Sequence, residues 1–151
     1  MPAVKDVDKG WNKIRGELER ARGREVVVGI LEGSKSEGES IAEYAAHNEF
    51  GTEDIPDRPF MRTAFDENVT NIDKDFQRQA KLMTAGTQTA NGALTTIGMK
   101  HAGRVQTVIT GRNFLPKLAD STVRAKKGST KTLVDSGAMV NAVTIQLRGR
   151  T

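Results

Sequence analysis

The chain has 151 residues, 36% of them hydrophobic, with one Trp and no Cys. That allows one domain with a thin, mainly aliphatic core and excludes disulfides, thiolate metal sites and cysteine nucleophiles. No run approaches the roughly 18 apolar residues of a membrane span, and MPAVKDVDKG lacks the apolar stretch of a secretory leader, so a soluble protein of the cytoplasm is expected. The net charge of +4 hides a division: residues 1–75 carry 17 acids against 11 bases, a balance of −6, and residues 76–151 carry 2 against 12, a balance of +10. Such polarity suits nucleic acid, or a head-to-tail contact in which one subunit's basic side meets the acidic side of the next.

In chain order, Val4, Val7, Trp11, Ile14, Leu18 and Ala21 alternate spacings of three and four, which predicts an amphipathic helix over 4–22. Gly23 ends it. The β-branched run from Glu25 to Leu31 reads as a strand buried on both faces, and Gly33 to Ser40 as a loop. Ser40, with Glu43 three residues on, forms a capping box for a helix through Asn48. Phe50 to Pro59 is irregular because two prolines and a glycine break both ladders.

Beyond Pro59 the apolar positions Met61, Phe65, Val69, Ile72, Phe76, Ala80 and Met83 recur at helical spacing and predict the longest helix. A second stripe, Ala90, Leu94, Ile97, His101, Val105 and Val108, runs to Gly111, so the two helices read as an antiparallel hairpin. Residues 112–134 have too few periodic apolar residues for a long helix and read as an extended basic arm with one helical turn. Within it, the segment from Asn113 to Lys131 is expected to be mobile in the isolated subunit and ordered by a neighbour. Asp135 or Ser136 caps a turn over Gly137 to Val140, and Ala142 to Leu147 alternates like a final strand that can pair with the first. The expected fold is α+β: a single domain over 1–151, with a long helical hairpin and shorter helices packed on a small antiparallel sheet.

Catalysis has little to work with. Two histidines, His47 and His101, do not supply the three or four convergent ligands of a metal site, and His101 lies on an apolar stripe, where a hydrogen-bonded core or interface histidine is expected. No phosphate-binding loop, nucleophile elbow or dinucleotide fingerprint is present. Neither an enzyme nor a cofactor is expected, and Glu37 with Glu39 and Asp73 with Asp75 read as solvated acids. The arm's bases, Arg112, Lys117, Arg124, Lys126, Lys127 and Lys131, have no interleaved aromatics, so only non-specific contact with phosphates or with a partner follows.

The stretch Tyr44-Ala-Ala-His-Asn-Glu-Phe-Gly-Thr52, followed by Ile55-Pro-Asp-Arg-Pro-Phe-Met-Arg62, resembles a hallmark of tailed-bacteriophage neck and tail-completion proteins. There a His-x-Glu-Phe-Gly-Thr phrase ends one helix and a Pro-x-Arg-Pro-Phe phrase opens the next. Leu118-Ala-Asp-Ser-Thr122, Lys126-Lys-Gly-Ser129, Leu133-Val-Asp-Ser-Gly137 and Asn141-Ala-Val-Thr144 look like the same family's C-terminal pattern. The central helices match in pattern and not in letters. The resemblance implies a structural virion protein that forms an oligomeric ring at the head–tail junction. It would be made in the host cytoplasm, with itself and other neck, connector or tail proteins as partners and packaged DNA nearby. A phage or prophage nucleic-acid-binding protein using the basic arm is the alternative.

Glu49, Phe50, Arg58, Phe60 and Arg62 are the candidate interface, since Pro56 and Pro59 stiffen the turn and an aromatic between arginines is a hot-spot combination. The competing reading makes Phe60 core, with the arginines capping carbonyls or pairing with Asp57 and Asp66.

Overall fold

The computed structural model describes residues 8–36, 39–126, 130–134 and 137–149. The first helix, α1 (Trp11–Arg22), begins later than the periodicity suggests. Asp8 folds over its start, accepting the N–H groups of Gly10 and Trp11 at 2.9 and 2.7 Å, and Gly10 takes a positive φ that no helix can include. The expected helical positions Val4 and Val7 lie outside the described residues.

Strands β1 (Arg24–Ile30) and, at the far end of the chain, β4 (Val143–Gly149) pair antiparallel, as their alternation suggests, with Val26 opposite Leu147, Val28 opposite Ile145 and Ile30 opposite Val143. Directly opposite residues share a face, so these six side chains form one apolar surface. β1 is not buried on both faces: no residue of it is fully buried, because a two-stranded sheet carries its helices mainly on one side. The loop expected at 33–40 contains a small ladder, β2 (Lys35–Ser36) with β3 (Glu39–Ser40).

Helix α2 (Ile41–Phe50) is capped by Ser40, whose Oγ accepts the Glu43 N–H at 3.3 Å. It runs two residues past Asn48 and closes on Gly51, which has φ +76 and donates to the His47 carbonyl.

The single longest helix expected after Pro59 is two helices, α3 (Phe60–Asp66) and α4 (Val69–Thr84). Asn68 makes the break. Its side-chain amide donates to the Ala64 carbonyl, the position its own backbone N–H would take in a continuous helix, and that N–H turns to Phe65 instead. The longest helix among the described residues is α5 (Ala90–Gly111), opened by Thr89, whose Oγ1 accepts the Gly92 N–H at 3.1 Å.

α5 is the spine. Antiparallel α4 lies along one side of it, Met83 meeting Ala90 and Ala93 near the turn, while Phe60 and Ala64 of α3 share a core with Val105 and Ile109. The sheet lies on another side, pressed so closely that a Cβ on Gly98 would sit 2.5 Å from Val26 Cγ2 and 3.3 Å from Ile145 Cγ2. The fold is therefore α+β, helices packed on a small antiparallel sheet.

The arm leaves α5 and, among the described residues, carries only α6 (Asp120–Ala125) before α7 (Ala138–Ala142). Both its ends are tied down in the single subunit: Phe114 and Leu133 are buried in the main core, and the Phe114 N–H donates to Thr132 Oγ1 at 3.2 Å. The expected caps Asp135 and Ser136 lie outside the described residues.

One packing feature departs from pattern. The apolar stripe of α3 and α4 does not face α5 as a unit: Met83 is buried, but Phe65, Val69 and Phe76 are exposed. Asp75 and Gln79 are buried in their place. The helix turns its ionic flank inward because α5 offers cations there.

Candidate functional site

The corner between α2 and α3 is organised by Glu49. Its side chain is buried, with Oε2 accepting the N–H of Met61 at 2.8 Å and Oε1 that of Arg62 at 3.1 Å. These are two of the donors a helix start leaves unpaired, and a carboxylate there also suits the positive end of the helix dipole. Arg62 closes the corner from outside, its Nε 3.1 Å from Glu49 Oε1 and its Nη2 2.7 Å from the Glu49 carbonyl. Its guanidinium also lies over the Phe50 ring at 5.7 Å. Phe50 and Arg62 are at the surface beside a groove of about 320 Å³, lined by Ile30, Ala42, Ala46 and Met61 among others.

Arg58 lies elsewhere, and Phe60 meets that groove only from within the core. Phe60 is one of the most deeply buried side chains, and Arg58 is 8% exposed, with its Nη1 3.2 Å from Asn48 Oδ1 and its backbone N–H on the Asn48 carbonyl at 2.6 Å. The expected aromatic flanked by two presented arginines is therefore corrected: Phe60 is core, and only Arg62 reaches solvent freely. The proline-braced loop turns its letters inward because Pro59 directs the chain into α3 just as Glu49 caps it. Arginine pairing with Asp57 or Asp66 is also absent among the described residues.

Part of the chain's charge division is met within the subunit. Asp75 of the acidic half accepts from Lys100 and from Arg104, the latter at 2.6 Å, and Glu67 accepts from Arg112. Burial raises the Asp75 pKa, but the two cationic donors outweigh it and hold the carboxyl below its ordinary value. The hairpin thus folds one half of the charge pattern onto the other.

The arm uses several of its bases on itself. Lys126 Nζ donates to the carbonyls of Lys131, Thr132 and Val134, and Lys131 Nζ to that of Thr110 at 2.7 Å. Arg112 also stacks near Phe114 at 5.7 Å. Lys117 and Arg124 are exposed and hold no ion pair among the described residues. Lys127 lies outside the described residues.

His47 is exposed, and His101 packs edge-on to Phe65, centroids 6.2 Å apart. Burial, and then the Arg104 charge, lower the His101 pKa. No group of three His, Asp or Glu side chains comes together at metal-binding range among the described residues, and no helix there is long and apolar enough to cross a membrane.

Sequence reasoning passed over Glu17, which does for α5 what Glu49 does for α3. Its Oε2 accepts the Ala90 N–H at 2.8 Å while its other oxygen takes Arg20. The bond to Ala90 is the main reason its pKa falls. A glutamate on the face that also carries Ile14 and Ala21 was the available signal.

Aromatic exposure is the other missed feature. Of five phenylalanines, Phe50, Phe65 and Phe76 are 72%, 52% and 46% exposed, and the single Trp11 is 64% exposed. No protein family matches the chain, and neither does any curated protein or solved structure.

Proposed function

We propose that the chain is a structural subunit of a tailed-bacteriophage virion, part of an oligomeric ring at the head–tail junction, which works by binding neighbouring proteins and not by catalysis. The observation that carries this reading is the aromatic exposure: three of five phenylalanines and the only tryptophan stand in solvent on a chain with few apolar residues to spare. Aromatics are enriched where proteins meet, and burying one such side chain contributes about 1.5–3 kcal/mol. A chain that leaves them outside is suited to covering them with neighbours.

The resemblance to neck and tail-completion proteins points the same way, and its letters have local work here. Glu49 caps α3, Gly51 makes the turn with positive φ, and Phe60 anchors the corner. Direct nucleic-acid binding has less support, because Arg112, Lys126 and Lys131 spend donors within the subunit.

The test is antibody labelling of tailed particles made from the genome that encodes this chain. Label at the head–tail junction supports the proposal. A chain absent from purified particles contradicts it.

A further inference from the structure

A cleft of about 410 Å³ lies where three parts of the chain meet: Tyr44 and Asn48 of α2, the loop from Asp54 to Arg58, and the start of the arm at Pro116 to Ala119. Arg58 lines it. Arg58 is more than nine-tenths buried and its guanidinium carries five donors, yet among the described residues only Nη1 has a side-chain acceptor, and Nε is buried with no partner. No carboxylate lies within 4.0 Å of it among the described residues. A buried cation without a counter-charge is costly, and the one hydrogen bond that the guanidinium donates to the neutral Asn48 Oδ1 does not neutralise it.

The surroundings specify what completes it. Lys117, exposed on the arm, and Lys126, whose ammonium donates to the carbonyls of Lys131, Thr132 and Val134, add positive charge, while Ile55, Pro56, Pro116 and Leu118 make much of the wall apolar. Asp54 also lines the cleft and disfavours a doubly charged phosphate more than a singly charged carboxylate. The volume is near the lower end of the roughly 300–1,000 Å³ of ligand pockets, room for about one or two amino-acid residues and far too small for a nucleic-acid duplex. Planar carboxylate is also the group a guanidinium fork meets best.

We infer that this cleft is a receptor for an acidic polypeptide segment, in which an Asp or Glu carboxylate meets Arg58 and an adjoining aliphatic side chain lies against the proline walls. The site goes beyond the aromatic surfaces invoked for assembly and shares no residue with them. It joins the loop to the arm, so an occupant would hold both.

The test uses the full-length protein labelled with nitrogen-15, following the Arg58 Nε–H resonance and the backbone amides of Tyr44 and Lys117. The probes are N-acetyl-Leu-Glu-Leu-amide, its Gln counterpart, and inorganic phosphate. The Glu peptide is expected to shift these resonances saturably, with the Gln peptide and phosphate each at least about tenfold weaker. Lys117→Glu, at an exposed position, should keep the spectrum of the folded protein and weaken the Glu peptide by about tenfold. Arg58→Lys, which keeps the charge and removes the fork, should weaken it as well. Equal binding of the Glu and Gln peptides, phosphate binding as tightly as the Glu peptide, or no saturable shift at Arg58 would each overturn the inference. Because the signals read are local to the cleft, the result is independent of whether rings form.

Discussion

The carboxylate of Glu49 accepts the backbone N–H of Met61 at 2.8 Å, so the last turn of α2 closes the first turn of α3. Ala90 and Glu17 repeat the arrangement at the start of α5, across 73 residues of sequence. In both places a helix's unpaired N–H groups are satisfied by an acid from a different helix, which fixes an angle between elements as well as a terminus.

Glu49→Ala should destabilise the protein by about 1–3 kcal/mol, the cost of an N-cap together with buried donors left unpaired. Arg62→Ala should cost less than about 1 kcal/mol, because its side chain is half exposed and its pairing is screened by solvent. Urea unfolding of the two variants checks the order. A larger loss for Arg62→Ala would mean that the corner is held from outside.

Gly98→Ala separates packing from helix propensity. Alanine is the better helix former by about 1 kcal/mol, but its methyl would meet Val26 and Ile145 and cost about 1–3 kcal/mol in overpacking, so a net loss of stability is expected. Gly103→Ala, with nothing near its Cβ, should gain up to about 1 kcal/mol in the same helix. Thermal melts of the pair decide whether the sheet sits on α5 as described.

Acid should weaken the fold in two stages. His101 has a folded pKa below its ordinary 6.5, because burial and Arg104 oppose its charge. The unfolded chain therefore takes up that proton more readily, and the stability that neutral His101 contributes is present above pH 6.5 and lost as pH falls through the lowered value. Asp75 lies below its ordinary 3.8, so its contribution is present above that pH and is lost at still lower pH. Urea midpoints from pH 8 down to 4 should fall, and His101→Phe should flatten the first part of that fall. An unchanged slope in the variant would remove His101 from the account.

The sheet pairing was readable because Ala142 to Leu147 alternates and β1 is β-branched, and both signals are local. Periodicity also located α5 to the residue at its end. What it misjudged was the join at Asn68, where a side-chain amide competes with a backbone N–H, and the direction α4 faces, which depends on Lys100 and Arg104 lying opposite Asp75. Neither is a property of a stripe. Among the candidate site residues, Glu49, Phe50, Phe60 and Arg62 line one groove, with Phe60 as its buried floor, whereas Arg58 turns away to Asn48.

The central claim is that the exposed aromatics are contact surface for further subunits. It is tested most directly by the solution mass of the purified chain, measured by light scattering across concentration, for the wild type and for a Phe50→Ser, Phe76→Ser double variant. Both side chains are exposed in the subunit, so the variant should unfold with a midpoint close to wild type. The account predicts a wild type that assembles to a closed oligomer and a variant that stays a folded monomer. A wild type and a variant that assemble identically, or that both remain monomers at high concentration, would contradict it.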